Sequence, residues 1–98
     1  MFKDLDPILH SQLRLTIISI LASVEQADFN YLKTETQATS GNLSVQLNKL
    51  KEVGYISLRK KFKGNYPHTI CKITDLGLER FSKYIDVLQD YLKTGKGK

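Results

Sequence analysis

Thr39-Ser-Gly-Asn-Leu-Ser-Val-Gln-Leu-Asn-Lys-Leu50 and, after four intervening residues, Tyr55-Ile-Ser-Leu-Arg-Lys-Lys-Phe-Lys-Gly-Asn-Tyr-Pro67 decide the fold of this 98-residue chain. In the first stretch Leu43, Leu47 and Leu50 recur at i, i+4, i+7, one narrow apolar face of a helix. Thr39 is the side-chain cap before it, and Gly54 is suited to the left-handed position that ends it, so a helix is expected over about 40–53. The second stretch alternates roughly, with Ile56, Leu58 and Phe62 on one side. Lys63 to Pro67 reads as a loop, because Gly64-Asn65 marks a turn and Pro67 resists strand pairing. His68 to Ile73 then returns as a second strand, which makes a β-hairpin.

Working outward, Asp28 is placed to cap a short helix from Phe29 to about Thr36, with Phe29 and Leu32 inward. Thr36 to Thr39 is the tight turn between the two helices. Further upstream, Asp6-Pro7 combines a side-chain acceptor with a first-turn proline, so a first helix is expected from Ile8 to about Val24. Its main stripe is Leu9, Leu13, Ile17, Ile20 and Val24; Ile8, Leu15 and Ile18 lie off that stripe. A single-domain surface helix needs one apolar stripe. The surplus calls for a cover, either a second subunit or a later helix of the same chain. Downstream, Thr74 caps a last helix from Asp75 to about Lys93, with the stripe Leu78, Phe81, Tyr84, Ile85, Leu88, Tyr91 and Leu92. The expected fold is mainly α with a small β-hairpin (α+β), in the order helix, helix, helix, strand, strand, helix. Residues 1–93 form one domain in this reading, and 94–98 a flexible basic tail.

The composition narrows the class. The chain is 41% hydrophobic and 26% charged. That balance suits one domain with one modest core and excludes a disordered chain. No apolar run approaches the length of a membrane span, and the acids of Met1-Phe-Lys-Asp-Leu-Asp6 stand where a secretory signal would turn apolar. The single Cys71 has no partner for an internal disulfide. These features lead to the expectation of a reducing, cytoplasmic setting.

Charge is concentrated in the quoted region. Between Glu35 and Asp75 there are seven Lys/Arg and one acid, Glu52; the rest of the chain has eight basic residues against nine acids. Positive charge beside short polar side chains on a helix is what reading duplex DNA requires, since the charge holds phosphates and the polar edge reaches bases. With the leucines inward, Gly41, Asn42, Val45, Asn48, Lys49 and Glu52 fall on the opposite face, flanked by Ser44 and Gln46. The amides of Asn42 and Gln46 match an adenine edge, Val45 a thymine methyl, and Ser40 and Ser44 phosphates or bases; Gly41 permits close approach. Arg59, Lys60, Lys61, Lys63 and His68 surround the hairpin tip, where flanking phosphates or the minor groove are the expected targets.

Two short helices joined by a tight turn and followed by a basic hairpin resemble the winged helix-turn-helix regulators of the MarR/ArsR type. The residues that carry the likeness are Leu13 to Leu21, Phe29-Asn-Tyr-Leu32, Asn42 to Ile56, and Lys72-Ile-Thr-Asp-Leu-Gly77. The last of these matches the family's [LI]-T-x-x-G entry to the final helix. One departure stands at Gln37, where the family often has Gly: either this residue accepts a left-handed backbone at roughly 1 kcal/mol, or the turn differs. The resemblance implies a dimeric transcriptional regulator, with the helix at about 40–53 in the major groove and the wing at 59–68 on flanking DNA.

The dimer interface expected from the surplus apolar surface comprises Ile8, Leu15 and Ile18 of the first helix and Tyr84, Leu88, Tyr91 and Leu92 of the last. Catalysis has no support: the acids are scattered, His10 and His68 have no evident partner, and no Gly-rich phosphate loop occurs. One Cys without a His/Asp cluster gives neither a metal site nor a cofactor site, and Cys71 reads as a small buried hydrophobe. Nothing in the sequence defines a small-molecule effector, although a pocket between the first and last helices of a dimer would be its place. The rival reading is a winged-helix interaction module of a larger assembly without DNA specificity; a weaker one is RNA binding.

Overall fold

Leu43, Leu47 and Leu50 are buried to within 2% of complete, and the rest of the molecule is arranged around them. The computed structural model describes residues 4–96, with side chains described from residue 4 to residue 93. Its elements are α1 (Gln12–Val24), β1 (Gln26–Asp28), α2 (Phe29–Thr36), α3 (Ser40–Glu52), β2 (Ile56–Lys63), β3 (Tyr66–Ile73) and α4 (Asp75–Lys96). The expected α+β order of helices and hairpin is present, with one strand added. β1 pairs antiparallel with β3, Ala27 opposite Cys71, so that β3 is the middle of a three-stranded sheet in the order β1-β3-β2. At three residues, β1 is too short for an alternating pattern to announce it.

The caps explain where the helices start. The Asp28 carboxylate accepts from Tyr31 N at 2.8 Å and the Thr39 hydroxyl from Asn42 N at 3.1 Å, as the sequence suggested. Gln37 takes the left-handed conformation, φ 59 and ψ 23, and its N–H closes on Lys33 O, which settles the open question at that turn. Gly54, with φ +83, ends α3, and Tyr55 N reaches back to Leu50 O at 3.0 Å in a six-to-one closing bond.

Four expectations need correction. The first helix begins at Gln12, not at Asp6-Pro7: the Asp6 side chain accepts from Ile8 N, but only one turn forms, closed by His10 N on Asp6 O. The chain then bends to bury Leu9 completely, and Tyr55 Oη holds Asp6 at 2.6 Å. The inward side of α1 is Ile17, Ile18 and Leu21, while Val24 is 45% exposed. Ile18 and Tyr84, expected at a dimer interface, are 0% and 4% exposed inside this chain's own core, so a later part of the same chain covers that side of α1. Finally, α4 continues to Lys96, beyond the expected end; residues 97 and 98 of the expected tail lie outside the described residues.

The joint between α3 and α4 accounts for the Ile73-Thr-Asp-Leu-Gly77 signature. Thr74 Oγ1 donates to Gly54 O at 2.5 Å and accepts from Gly77 N at 3.0 Å, while Thr74 N donates to Tyr55 O. Gly77 rests directly on the Tyr55 carbonyl, where any Cβ would collide with that oxygen.

Candidate nucleic-acid interface

Pairing directs the wing side chains before any partner is considered. In an antiparallel ladder, residues opposite each other share a face, and successive residues alternate. At the base, Ile56 faces Ile73 and Leu58 faces Cys71, all toward the core; continuing outward on that face are Lys60 with Thr69 and Phe62 with Pro67. The other face carries Arg59 opposite Ile70, Lys61 opposite His68 and Lys63 opposite Tyr66. The basic residues named from the sequence are thus divided between two faces. Gly64 alone of the two turn residues has a positive φ, +64, which fits a two-residue hairpin turn with Gly first. The turn is therefore tighter than the expected loop, and Pro67 lies within β3, beyond the reach of β1.

On α3, Ser40, Gly41, Asn42, Ser44, Val45, Asn48 and Lys49 are all exposed. Val45 is 50% exposed, an apolar side chain on the solvent face of a helix whose other apolar residues are buried. Ser44, Asn48 and Lys51 of α3 line a groove together with Lys60 and its neighbour Arg59 of the wing. Lys51 escaped the sequence reading, although it lies one turn beyond Asn48 on the same edge of the helix.

Gln46 stands apart from the other residues of the face. It is half-buried, and its Oε1 accepts from Arg14 Nη1 at 2.5 Å while its Nε2 donates to Asn42 Oδ1 at 3.0 Å. Arg14 was not among the expected site residues; no periodicity argument links a basic residue of α1 to the outer flank of α3. His68, on the face away from the core, lies beside Asp28 of β1, its Nδ1 3.7 Å from Asp28 Oδ2. Cys71 is fully buried, and burial, with the Asp28 charge adding to it, pushes its thiol up to about 11. Among the described residues no group of three His, Cys, Asp or Glu side chains is placed to hold a metal ion, and no helix is long and apolar enough to cross a membrane.

A helix pair joined by a tight turn, an exposed polar edge on the second helix and a basic antiparallel hairpin define the winged helix-turn-helix class of DNA-binding domains. Residues 13–92 match the family model for the winged helix DNA-binding domain, and the chain belongs to that family. The family is a DNA-binding one and not an enzymatic one. The chain is 39% identical over 83 residues to an uncharacterized protein of Methanocaldococcus jannaschii, spanning 84% of this chain and 90% of that one. Among solved structures, it resembles a transcriptional regulator homologue from Pyrococcus horikoshii OT3, with a TM-score of 0.84, 26% identity, and 89% and 86% of the two chains covered. The transcriptional regulator BldR from Sulfolobus solfataricus shares the fold, with a TM-score of 0.72 at 20% identity over 90% of this chain and 62% of that one. The resemblance read from the sequence, to winged-helix transcriptional regulators, is borne out.

Proposed function

We propose that the chain is a sequence-specific, dimeric transcriptional regulator acting in the cytoplasm, with α3 in the major groove of duplex DNA and the β2–β3 wing on the flanking backbone or minor groove. The observation that carries this reading is the exposed polar edge of α3, which lines one groove together with Arg59 and Lys60. Asn42 and Gln46 are the side chains for base edges and Val45 for a thymine methyl. Ser40, Ser44, Asn48 and Lys49 serve bases or phosphates, and Gly41 allows close approach. Arg59, Lys60, Lys61, Lys63 and, at its rim, His68 supply sequence-independent attraction.

Shape supports the dimer. The Cα radius of gyration is 15.1 Å and the molecule measures 59 × 25 × 21 Å. A compact chain of this length would have a radius of about 13 Å. Both the projecting wing and α4, whose 22 residues span about 33 Å at the helical rise, contribute to the elongation. Leu92 near its end is 58% exposed; Ile8, Leu15, Leu88 and Tyr91 are partly buried. A second copy covers such a helix with self-complementary geometry and sets two recognition helices about one DNA turn apart.

Gel shift of duplex DNA across a salt series tests the DNA reading. Affinity should fall linearly on a log–log plot. Absence of any shift at low salt would instead favour an interaction module. For the dimer, Leu92→Asp should give monomers by light scattering and weaken a two-fold site far more than a half-site. A wild-type chain that is monomeric at high micromolar concentration would refute it.

A further inference from the structure

We infer that Arg14, a residue of α1 outside the α3 face, fixes which hydrogen-bonding edge the recognition helix turns toward DNA, and thereby biases it toward guanine over adenine. The inference rests on the DNA-binding reading above and deepens it to base preference.

The chain of hydrogen bonds runs one way. Arg14 Nε donates to the Ile8 carbonyl at 2.6 Å, which holds the guanidinium against the Pro7–Leu9 turn. Its Nη1 then meets the Gln46 side chain. A guanidinium has five N–H donors and no acceptor, so the Gln46 atom facing it must be the amide oxygen. The Gln46 nitrogen is therefore turned the other way, where it donates to Asn42 Oδ1. That bond in turn draws the Asn42 oxygen toward Gln46 and leaves its NH2 group free. Each link determines the next, and the first is set by a residue of α1, outside α3.

The result is an outward edge dominated by donors: two N–H of Asn42 and the remaining N–H of Gln46. In the major groove, guanine presents two acceptors, N7 and O6, whereas adenine presents one acceptor and one donor and asks a single amide to supply both functions. With the Gln46 oxygen held by Arg14 and the Asn42 oxygen turned along the helix toward Gln46, the donor edge matches guanine. The adenine pairing suggested by the amide side chains alone, read from the sequence, does not take account of Arg14. Without Arg14, Gln46 is free to turn over, and the pair offers either edge.

The test is enrichment of binding sites from random duplexes with the full chain and three variants. Wild type should enrich a motif with guanine favoured over adenine by roughly tenfold at the positions that α3 reads. Arg14→Leu should bring that ratio to within about twofold, while Arg14→Lys, which keeps a donor for the Gln46 oxygen, should restore the guanine preference. Gln46→Glu keeps the Arg14 partner but removes the outward N–H and accepts from Asn42, turning the Asn42 oxygen to the groove. The preference should then move toward adenine or cytosine, whose exocyclic amines are donors. This variant reads the same relay from α3 and does not depend on the Arg14→Leu chain folding. Uniform loss of affinity in Arg14→Leu with an unchanged motif would show a merely structural role and overturn the inference while leaving the DNA reading intact. A wild-type chain that enriches no motif would overturn both.

Discussion

The two ends of the β2–β3 hairpin share one alternating pattern and have opposite fates. At the base, Ile56 and Cys71 are 2% and 0% exposed; at the tip, Phe62 continues the same face yet is 71% exposed, and Tyr66 on the other face is 75% exposed. Alternation tells which side of a strand a residue occupies, but not whether anything lies beneath it. The base is covered by α1 and α3 and extended by β1, whereas the tip projects as a two-stranded ribbon beyond them. A bare ribbon is marginal in water. Its stability is borrowed from the base, and its basic residues keep the exposed edges from pairing with other chains. Base and tip therefore divide the work: one holds the fold, the other is left for a partner.

The sharpest way to break that division is at the base, where the hairpin starts beneath α4. A methyl at Gly77 would overlap the Tyr55 carbonyl oxygen and lie 2.9 Å from its carbon and 3.1 Å from Ile73 Cγ1. Backbone cannot yield as a side chain does, so Gly77→Ala should cost about 3 kcal/mol or more in urea unfolding. A cost below about 1 kcal/mol would show that α4 does not anchor the hairpin. Next in size is the direct pair. Ile56→Ala removes a buried side chain and should cost about 2–4 kcal/mol, whereas Phe62→Ala, on the same face of the same strand, should stay within about 0.5 kcal/mol. Equal losses would mean that the tip is packed in solution and that the contrast is false.

Much of this contrast was legible in the residues, and the parts that were not share a cause. Local signals worked: Asp28, Thr39 and Thr74 cap the helices expected of them, Gly54 closes α3, and the three leucines of α3 are buried. What failed depended on what the rest of the chain does. Asp6-Pro7 has every local mark of a helix start, but burial of Leu9 and the Tyr55 hydroxyl on Asp6 hold it as a single turn. Ile18 looked surplus because one helix cannot reveal how many neighbours surround it. Phe62 does lie on the side of Ile56 and Leu58, as the period indicates, but the period carries no sign that this face is uncovered at the tip. In the site, residue types on α3 were readable, but the Arg14 link joins residues 32 apart in sequence and has no periodic signature.

A third prediction concerns the tip's own task. Lys60, Lys61 and Lys63 changed to Gln should leave the unfolding midpoint unchanged and flatten the salt dependence of DNA binding by about 0.9 per lost phosphate contact. Because pairing sets Lys60 on the face continuous with the α3 groove and the other two on the opposite face, single variants will report which face meets phosphate. A slope that none of the three alters would leave the wing a bystander.

The smallest effect returns to the base, at Cys71. Burial raises its thiol to about 11 from an ordinary value of 9.0, and the Asp28 carboxylate adds to the rise. The folded chain thus favours the neutral thiol. Below pH 9 this contribution is fully present; between 9 and 11 the unfolded chain releases a proton that the folded chain retains, so stability falls with rising pH. Tyr55 acts in the same direction at higher pH, its hydroxyl raised first by burial and then by the hydrogen bond to Asp6. Cys71→Ala should therefore be somewhat less stable at neutral pH, through loss of a buried sulfur, yet decline less steeply from pH 9 to 11. The difference in slope should approach, and not exceed, one proton. Urea midpoints across that pH range measure it directly. Parallel curves for the two proteins would show that the thiol titrates alike in both states, and that the base of the hairpin is more open to water than its packing indicates.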